Sequence, residues 1–145
     1  MTVFFNLIAA FIMVLAFGVI FQAPKRSLWL LGVTGSISWG GFLACQNLVG
    51  DTVTSVFIAS LIIGVCSELF ARWIKLPATV FIISGILPLV PGIPAYNTMF
   101  FILKGDYLKG LEAGIDTLLI AGSIAFAIAI TGTAARYYRS KLNNH

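Results

Sequence analysis

The 145-residue chain is 59% apolar and 10% charged, with a net charge of +4 and a mean hydropathy of +1.01. A soluble domain carries roughly 25% charged residues, and so short a chain has no interior large enough to hide this much apolar surface. A water-soluble enzyme or binding domain is excluded, and the chain reads as an all-α integral membrane protein.

A bilayer-crossing helix needs about 20 mostly apolar residues. Five stretches meet that need within a single membrane domain, 1–145. The first runs over about 3–21 and is closed by Pro24-Lys25-Arg26. It lacks a positive n-region and exceeds a signal-peptide h-region, so it is expected to be a retained span. The second covers about 28–48 and ends at Gly50-Asp51; the third covers 52–70 and is followed by Arg72-Trp73-Ile74-Lys75-Leu76-Pro77. The fourth, 78–103, is interrupted. The fifth covers 111–135, and a basic tail, 136–145, follows.

The interruption in the fourth span is a Pro-x-x-Pro-Gly-x-Pro run. Pro88, Pro91 and Pro94 each lack an N–H and clash with the carbonyl four residues back, so a regular helix is not expected through them. Non-helical backbone at membrane depth is tolerated only where protein buries it or where it lines a watery cavity, and broken helices often build transporter sites. A kink that only positions its neighbours remains an open alternative. The candidate substrate or ion pathway is therefore Ser84, Pro88, Pro91, Gly92, Pro94, Tyr96, Asn97 and Thr98. Asn97 and Thr98 carry hydrogen-bonding groups for a small solute, or cap the second half-helix.

Lysine and arginine set orientation. With five spans, Lys25, Arg26, Arg72, Lys75, Arg136, Arg139 and Lys141 share one side, against Lys104 and Lys109 on the other. The expected N-terminus is outside and the C-terminus cytoplasmic, with Trp29, Trp73, Tyr137 and Tyr138 at the cytoplasmic interface. Cys45 and Cys66 then differ in depth by about 20 Å and are not expected to pair. Small residues at four-residue spacing, which let helices approach closely in lipid, recur as Gly32, Ser36 and Gly40 in the second span and Ala121, Ala125, Ala129 and Thr133 in the fifth. Either face packs within the subunit or docks a partner.

Ionisable groups in spans are functional candidates. Glu68 and Arg72 are spaced for a helical ion pair and are a candidate gate. Glu112 suits the start of a helix, whereas Asp116, more than a turn further in, is a candidate for binding an ammonium or carrying a proton. Asp51 and Asp106 look like turn acids. No Ser-His-Asp or Cys-His set, paired-carboxylate site or Walker motif is present, and the one histidine is His145. An enzyme, a metal site, a cofactor and a nucleic-acid partner are not expected.

The stretch Ile83-Ser84-Gly85-Ile86-Leu87-Pro88-Leu89-Val90-Pro91-Gly92, followed by Tyr96, Lys104-Gly105-Asp106-Tyr107 and Gly110, resembles the threonine/serine exporter family. It is most similar to the short subunit of the split, two-gene form. The resemblance spans essentially the whole chain. It implies a secondary exporter of small hydroxy amino acids in the bacterial inner membrane, working with a larger multi-span partner. It carries over Pro88, Pro91, Gly92, Gly105 and Asp106 as motif positions, with no established ligand role. Proton-gradient drive is the expected coupling. Small dicarboxylates as substrate, a homo-oligomer, and a non-transporting structural subunit stay open.

Overall fold

The computed structural model describes residues 2–142, and its side chains over 3–137 and at Lys141; the tail residue His145 and the side chains of Tyr138 and Arg139 lie outside the described residues. Six helices follow in chain order: α1 (Thr2–Ile20), α2 (Lys25–Val49), α3 (Thr52–Ile74), α4 (Ala78–Ile86), α5 (Gly92–Leu103) and α6 (Tyr107–Leu142). A single 3₁₀ turn, Leu87–Leu89, follows α4. Four helices are long and apolar enough to cross a membrane; α4 with its 3₁₀ turn and α5 reach that length only as a pair, bent by 52° at the break, which makes four spans, or five where the pair crosses as one. The expected all-helical chain with a broken fourth span is what forms.

Local chemistry explains where each helix stops. At the end bearing Asp51 and Asp106, the left-handed residues that close α2 and α5 are Gly50 and Gly105, with φ of 74° and 81°; glycine has no Cβ to clash there. Asp51 then caps α3, accepting from the Thr54 N–H at 2.7 Å and from the Thr54 hydroxyl. These bonds, the side-chain one first, hold the Asp51 carboxyl below the usual carboxylate range. At the basic end the left-handed positions fall to Gln22 and Lys75. There the Ala23 N–H reaches the Gly18 carbonyl at 2.9 Å and the Leu76 N–H reaches the Ala71 carbonyl at 3.0 Å, satisfying carbonyls a helix end leaves orphaned.

The prolines divide the work. Pro88 lies in the 3₁₀ turn and Pro91 precedes α5. Pro94 was expected to extend the break; instead it sits in the first turn of α5, where an N–H has no intrahelical partner anyway. The break is thus confined to Leu87–Pro91. The Val90 N–H donates to the Leu87 carbonyl at 3.4 Å and the Gly92 N–H to the Val90 carbonyl at 2.8 Å, restoring two of the three carbonyls the prolines displace. Asn97 and Thr98 cap nothing, because α5 has already begun five residues earlier.

α1 and α2 pack as an antiparallel pair, α3 packs on α2 and α6, and α4 is inserted between α2 and α3. Leu89 closes one apolar cluster with Val56, Ala59, Ile63, Ile120 and Ile124; Val14, Leu31, Ala71 and Phe81 form a second towards the basic end. Fully buried hydroxyls occur along the interior, among them Thr34, Ser38, Ser60, Ser67 and Ser84. Small side chains permit this packing: a Cβ at Gly85 would press on Ile63 and Thr34 at 3.0 Å, and Gly64 lies against Thr131 with no room for one.

The fifth span is longer than its apolar stretch. α6 has 36 residues, about 54 Å of helix, and takes in both Tyr107–Gly110 and the start of the basic tail. Its Leu118–Phe126 stretch flanks the first turns of α3 at Val53–Phe57. The preceding residues of α6 run roughly 16 Å past that level and pair with α5, Gly114 meeting Thr98 and Gly110 meeting Ile102.

Candidate functional site

Where the fourth span breaks, the chain leaves an open cleft of about 480 Å³ between α1, α2 and the break. That is within the roughly 300–1,000 Å³ of small-molecule sites. Leu87, Pro88, Val90, Gly92 and Ile93 form one wall; Ala9, Ala10 and Met13 of α1 face them, with Trp39 and Asn6 at the sides. A Cβ at Gly92 would meet nothing, so glycine leaves the mouth of the cleft wide. No charged side chain lines it.

The polar groups at this cleft are few. Asn6 is the sole polar side chain between Val3 and Ile20. Its neighbour Leu7 packs beside Gly40, nine residues and about 13 Å from the end of α2. Asn6 is exposed at the side of the cleft, and among the described residues its carboxamide makes no hydrogen bond, which leaves it open to a solute. The N-terminus of α5 opens on the same space. There the Ala95 N–H is taken by the Pro91 carbonyl at 3.1 Å, whereas the Ile93 N–H has no backbone partner among the described residues. A helix N-terminus carries partial positive charge.

The candidates named from sequence are dispersed. Pro88 and Gly92 line the cleft. Ser84 is buried one turn before and borders a separate cavity of about 280 Å³ with Gln22, Pro24 and Thr79. Tyr96 is 66% exposed and stacks on Phe100 at 5.9 Å. Thr98 turns to α6 and donates to the Pro94 carbonyl at 2.8 Å; Asn97 is half-buried and Asp116 is exposed on α6. Glu68 and Arg72 approach to 4.0 Å beside an open groove formed with Thr131 and Ala134. Gly105-Asp106 is a turn: Gly105 ends α5, and Asp106 accepts from the Lys109 ammonium at 2.8 Å. That bond holds the Asp106 carboxyl low.

Two features were passed over. Asn6 stands out only as one amide in a run of hydrocarbon, and nothing in the sequence says that α1 faces the break. Ser38, Ser60 and Ser67 are fully buried with no partner for Oγ, yet a serine in a membrane helix looks like any other small residue. Both cysteines are free, and no metal-type cluster occurs among the described residues.

A bundle of membrane-length helices with one span broken against a solute-sized cleft belongs to the class of multi-pass membrane transport proteins. A family model described as "Threonine/Serine exporter, ThrE" matches residues 6–134. The chain belongs to this threonine/serine exporter family, a transporter family whose members carry small molecules within a lipid environment. No solved structure matches it.

Proposed function

We propose that this chain is the short subunit of a split exporter that moves threonine- and serine-like hydroxy amino acids out of the bacterial cytoplasm. It forms one five-span domain of the inner membrane, N-terminus outside and C-terminus inside. A larger membrane partner completes the pathway, and the proton gradient drives it.

The observation that carries this reading is the exposed Asn6 carboxamide beside the Ile93 N–H, the one donor left over in the first turn of α5, in a cleft with no charged side chain. A zwitterion suits such a place. Its carboxylate meets the Ile93 N–H and the positive end of α5, as half-helix N-termini meet anionic groups in other broken-span transporters. Its ammonium meets the carbonyls of Leu87 and Val90, residues of the cleft wall, each of which has a second lone pair to offer. Its hydroxyl pairs with Asn6. A dicarboxylate would bring two negative charges to a cleft without a lysine or arginine, which favours the amino acid. The cleft is open, and the partner covers it.

Asn6→Leu tests this. Threonine efflux is expected to fall about tenfold, the order of one lost hydrogen bond to a charged or polar solute, with the membrane level of the protein unchanged. Unchanged efflux would remove the cleft from the route and favour a purely structural subunit. For the coupling, Asp116→Asn is expected to flatten the dependence of efflux on external pH. A pH profile that stays as it was places the proton carrier in the partner.

A further inference from the structure

At the basic end, the start of α2 and the end of α3 enclose an open pocket of about 520 Å³. Leu30 and Ile74 make its apolar floor, Trp29 and Trp73 its sides, and Arg26 and Lys75 its cationic rim. Tryptophans are common at headgroup depth. Two cations without a carboxylate between them are less so: the ion pairs among the described residues are Arg72–Glu68 and Lys109–Asp106, and neither rim residue takes part.

Both rim residues sit where the fold alone disfavours them. Arg26 lies in the first turn of α2, which has no acidic residue and no side-chain cap from Pro24; the helix dipole repels a cation there. Lys75 occupies a left-handed position with φ 59°, where a Cβ is strained and where the corresponding turns at the other end use glycine. An anion seated between them offsets the first cost and gives the second a purpose. It would be held by the two cations of the rim, at the positive end of α2. A pocket that joins this rim to an apolar floor fits an anion with a hydrocarbon tail.

We infer that this pocket binds the phosphate of an anionic phospholipid from the adjoining leaflet, with an acyl chain laid along Leu30, Ile74 and the two indoles. Basic pockets between membrane helices bind such headgroups by this chemistry. The inference rests on membrane insertion and not on what the cleft carries.

The chain has three tryptophans, so Trp39→Phe leaves only the two that flank the pocket. In lipid nanodiscs, brominated phosphatidylglycerol is expected to quench this protein more than brominated phosphatidylcholine at equal mole fraction. The preference is expected to fall about fivefold for each rim charge removed, in Arg26→Gln and in Lys75→Gly. Because Lys75→Gly also relieves the left-handed backbone, its melting temperature holds or rises while the preference falls; a merely structural lysine would not separate the two. Equal quenching by both lipids overturns the proposal. So does a loss in Arg72→Gln as large as in Arg26→Gln, which would indicate a diffuse basic band. So does erasure of the preference by inorganic phosphate, which would make the ligand a free anion.

Discussion

α2 and α6 carry the same device, small residues every fourth position, and the fold uses it in opposite ways. On α2 it is consumed inside the subunit. Gly32 lies under Phe11, Gly35 under Val14 and Gly40 beside Leu7, and the Ser36 hydroxyl donates to the Leu7 carbonyl at 3.2 Å. On α6, Ala121, Ala125, Ala129 and Thr133 face outwards; the buried face is the neighbouring one, Ile120, Ile124, Ala127 and Thr131. Spacing of this kind states that close approach is possible; it does not state what approaches. α2 has α1 to receive it, tied by a four-residue connection, Phe21–Pro24. α6 has α3 along its middle and α5 along its first turns, and the face bearing Ala121, Ala125, Ala129 and Thr133 meets neither. In the proposed exporter that open face is where the larger subunit docks.

The largest expected effect lies on the closed face. A Cβ at Gly35 would stand 2.9 Å from the Cβ of Val14 and 3.3 Å from the Ala10 carbonyl oxygen. Val14 is fully buried and Ala10 supplies backbone, so neither can move aside. Gly35→Leu is expected to cost about 3 kcal/mol or more by overpacking and to remove most folded protein from the membrane, read by detergent-solubilised yield and melting temperature. Normal yield would mean that the α1–α2 contact is looser than this.

Next comes the open face. Ala125→Leu is expected to leave the isolated subunit within about 0.5 kcal/mol of its original stability, as exposed substitutions do. Copurification with the larger subunit is expected to fall about tenfold, because a small-residue contact between helices tolerates no added branch. If copurification persists and efflux continues, the partner sits elsewhere, and the two faces differ only in that one meets protein and the other lipid.

The same contrast marks how far the sequence could be read. The spans, the break and the turn acids follow from local rules: run length, missing proline N–H groups, and glycine or aspartate at helix ends. Pro94 could be misplaced because proline is as welcome in a first helical turn as it is unwelcome in an interior, and nothing local says where α5 begins. The cleft was legible on one wall alone. Its other wall comes from α1, some 80 residues earlier in the chain, and only tertiary packing brings Asn6 to the break. Thr98 was a reasonable site candidate by proximity in sequence, yet the helical turn from Gly92 carries it round to Gly114. Which small-residue face is closed and which is open likewise depends on a neighbour that spacing cannot name.

The smallest effect sharpens the comparison most, because it is expected to change sign with the surroundings. Gly122 and Gly132 on α6 have nothing within reach of an added Cβ, in contrast to Gly32, where one would come 2.5 Å from the Phe11 ring. In the isolated subunit, Gly122→Ala removes a flexible residue from the middle of a long helix and adds no clash. It is expected to raise stability by about 0.5–1 kcal/mol, a rise of a few degrees in melting temperature. Gly32→Ala is expected to lower it. In the complex, a methyl at residue 122 stands where the larger subunit approaches if the open face is its dock, so the gain shrinks or reverses when the pair is melted together. A gain of equal size with and without the partner would show that Gly122 faces lipid in the assembly. The small residues of α6 would then face lipid, and the partner would cover the cleft from the α1 side alone.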